Sequence, residues 1–205
     1  MRILMTGTTS GIGAATAKLL RLQYHEVIEL KREDCDLTDT REVRNIELPE
    51  VDCLINCAGG TTNWFVCLNY VDFEIINLNF TSPAILTERI YKQNPKALIV
   101  NVTSSYVDRY WGGAVYYSAA KKALASFRKD FLIDYPDAKI AEVRPGLTRQ
   151  QYDEDGSELV NYKEWRSQNP DTTHLTPEDV GETILQAVHK KRSNVYVIMP
   201  SGHTL

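Results

Sequence analysis

Thr6-Gly7-Thr8-Thr9-Ser10-Gly11-Ile12-Gly13, TGTTSGIG, is the stretch that decides the fold of this 205-residue chain. The apolar run Ile3-Leu4-Met5 leads into it. A segment with Ile12, Ala15, Leu19 and Leu22 at helical spacing leads out of it. A glycine loop that follows a strand and opens a helix has a physical use. Gly7 permits a tight turn, Gly11 lets the backbone approach a ligand closely, and Gly13 lets the helix lie against the strand. The helix N-terminus then presents unpaired N–H groups, which suit phosphate oxygens. A purely structural turn is the plainer alternative.

Outward from the loop, strand-length apolar runs alternate with helical periods. Strands are expected at Glu26–Leu30 and over residues 51–55, 97–102, 139–143 and 195–199, with helices over 11–24, 116–135 and about 177–190 and one or two helices over 71–91. Asp72 is a plausible start for the second helical region. Thr176-Pro177-Glu178-Asp179 is a strong one: threonine as cap, proline in the first turn, acids against the dipole. Strand–helix alternation implies an α/β, doubly wound parallel sheet with helices on both faces. Residues 1–205 read as one domain, with ligands expected at the carboxyl ends of the strands. The least regular part, residues 148–175, is polar and carries Tyr152, Tyr162 and Trp165.

Composition narrows the function classes. Net charge is −4, which gives no broad attraction for nucleic acid or an anionic membrane. No apolar run is long enough to span a bilayer, and the N-terminus does not read as a signal peptide, so a cytoplasmic location is expected. Cys35, Cys53, Cys57 and Cys67 show no Cys-x-x-Cys spacing and no histidines beside them, so neither a metal site nor a disulfide framework is expected.

Five further motifs stand in order along the chain. Asn56-Cys57-Ala58-Gly59 ends one strand. Asn79 lies in Ile76-Asn77-Leu78-Asn79-Phe80. Asn101-Val102-Thr103-Ser104-Ser105 follows a buried strand. Tyr117-Ser118-Ala119-Ala120-Lys121 fits Tyr-x-x-x-Lys, and positions four apart share one helical face. Tyr116 pairs at four residues only with Ala120, and Lys122 looks back to Ser118, so neither belongs to such a pair. Ser104 lies thirteen residues before Tyr117, whereas Thr103 lies thirteen before Tyr116. Arg144-Pro145-Gly146 follows the next strand.

With the Gly-x-x-x-Gly-x-Gly loop, these motifs resemble the short-chain dehydrogenase/reductase family over nearly the whole chain. The resemblance implies a Rossmann-type sheet of about seven parallel strands. It implies hydride transfer between a nicotinamide cofactor and a carbonyl/alcohol pair, with Ser104, Tyr117, Lys121 and Asn79 as catalytic residues. Cofactor contacts carry over to Gly7, Thr9, Ser10, Gly11 and Ile12; to Asn56, Ala58 and Gly59; and to Pro145, Gly146, Leu147 and Thr148, besides Tyr117 and Lys121. The sequence departs from the family pattern at Cys57, where a second asparagine is usual. It departs again at Gln150, where a threonine is common.

The residue just after the second strand contacts the adenosine ribose: an acid favours NAD(H), basic groups favour NADP(H). That position falls on Lys31, followed by Arg32, so NADP(H) is expected to be preferred, with NAD(H) possible. A charged surface turn, Lys-Arg-Glu-Asp, is the plainer reading. Asp36-Leu37 resembles the family's adenine-binding pair. Few residues separate it from the second strand, so the family's intervening helix is expected to be replaced by a tight turn.

The partner expected is a small-molecule carbonyl or alcohol, and the family implies a homodimer or homotetramer. A cofactor-binding regulator without turnover and a nucleotide-sugar-modifying enzyme remain the alternatives. Residues 106–115, rich in tyrosine and tryptophan, read equally as a pocket wall or a packing surface. Arg109, Arg149 and Arg166 could meet an anionic substrate group, though surface placement is their default.

Overall fold

The computed structural model describes residues 1–60, 73–108, 114–149, 167, 170 and 173–200. Its centre is a parallel sheet of β1 (Arg2–Thr6), β2 (Glu26–Leu30), β3 (Cys53–Asn56), β4 (Leu98–Val102), β5 (Lys139–Pro145) and β6 (Val195–Ile198), in the order β2-β1-β3-β4-β5-β6. All five pairings are parallel. The order reverses between β1 and β3, which opens a crevice at their carboxyl ends.

Both faces are covered. Ile3, Met5, Ile55 and Val143 pack with α1 (Gly11–Leu22) and α6 (Pro177–Lys190). Leu4, Leu54, Ile99 and Ile140 face the other way, onto α2 (Thr40–Asn45), α4 (Ser82–Gln93) and α5 (Val115–Asp134). The period-two side-chain alternation of a strand makes this division. β3 and β4 are buried at every position, which is why they read as continuous apolar runs. α6 begins where the cap signal places it: Thr176 and Asp179 form a reciprocal capping box.

The sheet has six strands among the described residues, not about seven. Only residues 31–35 separate the end of β2 from Asp36. A crossover that returns a parallel strand to the sheet needs roughly ten or more residues. The strand is therefore lost together with the helix, and the tight turn expected here closes with Asp34 N and Cys35 N donating to Lys31 O at 3.1 Å each. After it comes the short α2, capped by Asp39, which the periodicity did not announce.

The second helical region is more broken than its period suggests. Asp72 lies outside the described residues. α3 (Phe73–Ile76) passes into one π-helical turn, Asn77–Thr81, before α4.

Candidate active site

The first half of the site is the crevice around β1 and β3. Gly7 and Gly11 adopt φ of +73° and +52°, which side-chain-bearing residues rarely do. A Cβ on Gly7 would stand 2.7 Å from the Ala58 backbone, and one on Gly13 would stand 1.8 Å from Gly7 O. Thr6 Oγ1 accepts from Cys57 N and Ala58 N at 3.1 and 3.0 Å, which joins the two strand ends. Ser10 occupies the cap position of α1, yet its side chain makes no capping bond there, and the first turn carries no acid. Thr9 and Ser10 are exposed and Ile12 is half-buried.

Beside this loop lies a cleft of about 200 Å³, lined by Gly7, Thr9 and Ala58 on one side and by Lys31, Arg32, Asp36 and Leu37 on the other. Asn77 Nδ2 donates to Thr38 O at 2.9 Å and Ser82 Oγ to Leu37 O at 2.7 Å, so the far wall is anchored to the π turn and α4. A glycine cradle at a helix N-terminus, a cleft of this size and two cations at its rim fit the adenosine end of a dinucleotide.

The second half lies where β3 and β4 end against α5. Ser104 caps a short 3₁₀ turn, Ser105–Val107, accepting from Tyr106 N. Tyr117 and Lys121 rise from one face of α5, and Ser104 hydrogen-bonds the Tyr117 side chain. Lys121 is 3% exposed; its Nζ donates to Val102 O at 2.9 Å and stands 5.8 Å from the Tyr117 ring centroid. Asn79 is fully buried in the π turn. It accepts from Gly60 N at 3.1 Å and donates to Gly60 O and Ile75 O at 2.9 Å each. Gly59 lies between the two: a Cβ there would come within 2.7 Å of Asn79 Oδ1 and 2.9 Å of Lys121 Nζ. Ser104, Tyr117, Lys121, Asn79 and Gly59 are thus brought into one place.

Thr103 is engaged elsewhere, donating to Glu142 at 2.8 Å. Lys122 bonds back to Ser118, at the four-residue spacing read from the sequence. Asn56 lies deeper than a ligand contact would, with its amide donating to Asn101 Oδ1 at 2.9 Å and to Pro83 O.

Burial sets the electrostatics. Desolvation lowers the Lys121 pKa from 10.5 to about 8, only slightly opposed by the nearby Cys57. Desolvation likewise pushes the Cys57 thiol up to about 12, which makes it inert as a nucleophile. The Tyr117 phenol is held above its ordinary value, mainly by burial, with the Ser104 hydrogen bond pulling the other way. The Lys121 ammonium donates to Val102 O and stands over the Tyr117 ring.

Beyond β5, Gly146 N donates to Ile198 O at 2.8 Å, and Thr148 Oγ1 donates to Gly146 O at 3.1 Å. Leu147 and Thr148 pair with Leu175. Residues 109–113 and 150–166 lie outside the described residues, and with them Arg109, Tyr152, Tyr162, Trp165 and Arg166, as does Cys67.

Two neighbours complete the site, Tyr106 from the stretch read as a pocket wall or packing surface, and Glu142, which the sequence reading missed. Tyr106 meets the Tyr117 ring edge-on, with centroids 5.8 Å apart. Glu142, fully buried, accepts from Thr103 and from Arg144 Nε at 2.7 Å, and Arg144 Nη1 reaches Asp108 at 2.8 Å. Both ends of the segment from Thr103 to Asp108 are therefore tied to one carboxylate. A glutamate and an arginine two apart in an otherwise apolar strand share a face, and that pairing was the available signal.

A family model described as short chain dehydrogenase matches residues 34–158. An NADP-dependent 3-hydroxy acid dehydrogenase of Schizosaccharomyces pombe is 29% identical over 95% of this chain and 89% of its own. A 3-oxoacyl-(acyl-carrier-protein) reductase of Rickettsia conorii is 26% identical over 88% and 86%. Among solved structures, a closed serine dehydrogenase complexed with NADP+ superposes with a TM-score of 0.79 at 19% identity, covering 100% of this chain and 97% of that one. A 4-hydroxyisoleucine dehydrogenase complexed with NADH gives 0.80 at 22% identity, covering all of both. At these identities the two structures speak to the fold.

Proposed function

The chain belongs to the short-chain dehydrogenase/reductase family, whose members are NAD(P)-dependent oxidoreductases of alcohols and carbonyls, and we propose that it uses NADP(H) in preference to NAD(H) with Ser104, Tyr117, Lys121 and Asn79 as its catalytic set. The observation that carries this reading is the convergence of Ser104, Tyr117 and Lys121 from the end of β4 and one face of α5, beside the glycine cradle.

The bound nicotinamide supplies the hydride in reduction and accepts it in oxidation. Ser104 hydrogen-bonds the substrate oxygen and holds it at the phenol. Tyr117 donates its proton to that oxygen as general acid. Burial holds the phenol above its ordinary value, so at neutral pH it carries the proton that a general acid donates. Lys121, buried and pinned to Val102 O, lies where it can hold the cofactor's ribose and reload the phenol. Asn79 fixes Gly59 and Gly60 and supports the relay to Lys121. Lys31 and Arg32 at the cleft rim support the 2′-phosphate preference, with Arg32 offering a planar fork and Lys31 a point charge.

The relatives named above extend the reading by analogy toward small hydroxy or oxo substrates. One domain would carry both sites. No helix among the described residues is long and apolar enough to cross a membrane, which accords with the proposed cytoplasmic location. The exposed Ile133 on α5 and Tyr135 at its end accord with a homodimer or homotetramer.

The test has two arms. Titration with NADPH and NADH should give tighter NADPH binding, and equal or tighter NADH binding would remove the preference. Absorbance at the nicotinamide band, followed with a panel of aldehydes, ketones and oxo acids, should reveal turnover in the wild type that Ser104→Ala loses. Cofactor binding without turnover anywhere in the panel would favour a regulator.

A further inference from the structure

The loss of one strand and one helix after β2 has placed two cofactor-contacting positions in one turn. Arg32, proposed above to grip a 2′-phosphate, stands four residues before Asp36, whose family role is to accept from the adenine amino group. The two are ion-paired: Arg32 Nη2 and Nε reach Asp36 Oδ2 at 3.1 and 3.3 Å. Asp36 is the fixed partner. Its Oδ1 accepts from Thr38 N and Thr38 Oγ1 at 2.9 and 2.8 Å, and its own N–H donates to Glu42 at 2.8 Å. Arg32 is the more exposed partner, with 82% of its side chain exposed against 30% for Asp36. Lys31 is also compensated, lying 4.0 Å from Glu33.

We infer that Asp36 is a specificity-determining residue that acts through Arg32, holding the guanidinium against a carboxylate and so limiting how far the site discriminates NADP(H) from NAD(H). A 2′-phosphate must draw Arg32 away from Asp36, or share it, before it gains the full charge-assisted bond. NADH, with a 2′-hydroxyl, makes no such demand. Asp36 is therefore a brake on one cofactor and neutral toward the choice made by the other.

The inference rests on the proposed grip of Arg32 on the 2′-phosphate, and the experiment separates the two. Dissociation constants for NADPH and NADH are measured by nicotinamide fluorescence for wild type, Asp36→Asn, Arg32→Ala and the double variant. The quantity read is the ratio of the NADH to the NADPH constant, in which any adenine contact common to both cofactors cancels. Asp36→Asn should raise this ratio about fivefold, the order expected for freeing an exposed charged partner. In the Arg32→Ala background the same substitution should move it less than about twofold.

An unchanged ratio with both cofactors weakened equally would make Asp36 an adenine contact only and overturn the inference. So would an equal rise in both backgrounds, which is direct repulsion of the phosphate, or a fall, which would mean that Asp36 orients Arg32 toward the phosphate. Loss of NADH binding in Asp36→Asn would also overturn it, since Asp36 would then be holding the turn itself. If Arg32→Ala alone leaves the ratio of the wild type, the proposed grip fails, whatever Asp36 does.

Discussion

The two ends of the cofactor crevice are built in opposite ways. At the catalytic end the charged and polar groups are buried and each is tied to backbone or to a second buried group: Lys121 to Val102 O, Asn79 to Gly60, Arg144 to Glu142. At the adenosine end the charges of the turn over residues 31–36 are largely exposed and paired with one another across a few residues. Buried polar groups with fixed partners hold one geometry at a high cost if disturbed. Exposed pairs cost little to break and reorganise easily. The difference teaches where this molecule spends rigidity: on placing Ser104 and Tyr117, and not on choosing between two dinucleotides.

The largest expected effect tests the rigid end. Tyr117→Phe should lower turnover by on the order of 10²- to 10⁴-fold, the range of a lost general acid, with cofactor affinity within about twofold of wild type. Tyr116→Phe should be near wild type in the same assay. Equal loss in both variants would break the assignment of the pair.

Next comes the buried network. Arg144→Met strands Glu142 in the interior and should cost about 3–5 kcal/mol in denaturant unfolding. The double variant Arg144→Met, Glu142→Leu should recover much of that loss. A single variant as stable as the wild type would show that the network is not the tie described here.

Lys121→Met should separate stability from function. The folded-state pKa of about 8 lies below the 10.5 of the free side chain. Below about pH 8 both states are protonated and the buried ammonium carries its full penalty. Between about 8 and 10.5 the unfolded state holds the extra proton, so stability rises with pH through that window. Lys121→Met should flatten this rise and stabilise the protein at pH 7 by roughly 1–3 kcal/mol, while turnover falls steeply. A variant that keeps the wild-type pH dependence of unfolding would contradict this reading.

The smallest effect belongs to the adenosine turn. Glu33→Ala removes an exposed partner of Lys31 and should change unfolding stability by less than about 0.5 kcal/mol. A larger change would mean that the turn is more rigid than its exposure indicates.

Much of this was legible in the sequence where local chemistry alone decides. TGTTSGIG announced its turn because glycine takes up the positive φ at positions 7 and 11 far more readily than residues with a side chain. The Thr176–Asp179 box announced the start of α6, and Tyr117 and Lys121 announced their shared face by helical period. The strand count was legible in the six apolar runs themselves, and only the family resemblance suggested about seven; residues 31–35 are too few for the crossover that a further strand needs. The protonation of Tyr117 lies beyond what spacing can give. Spacing places Lys121 near the phenol, but burial and the pull of Val102 O decide what the ammonium does there. The tie from Glu142 to Asp108 joins two segments more than thirty residues apart in sequence.

The π turn at Asn77–Thr81 has a consequence for helical phase. It holds one residue more than an α-turn of the same rise, so α3 and α4 form a continuous rod whose two halves are rotated about its axis by roughly 100°, one residue's worth. The offset frees Ile75 O for the Asn79 amide and turns that side chain toward Gly60, while α4 keeps Leu86 and Ile90 on the core. A straight helix could satisfy the core or the glycine pair, not both. The extra residue is a phase correction that lets one rod serve two neighbours with different angular demands.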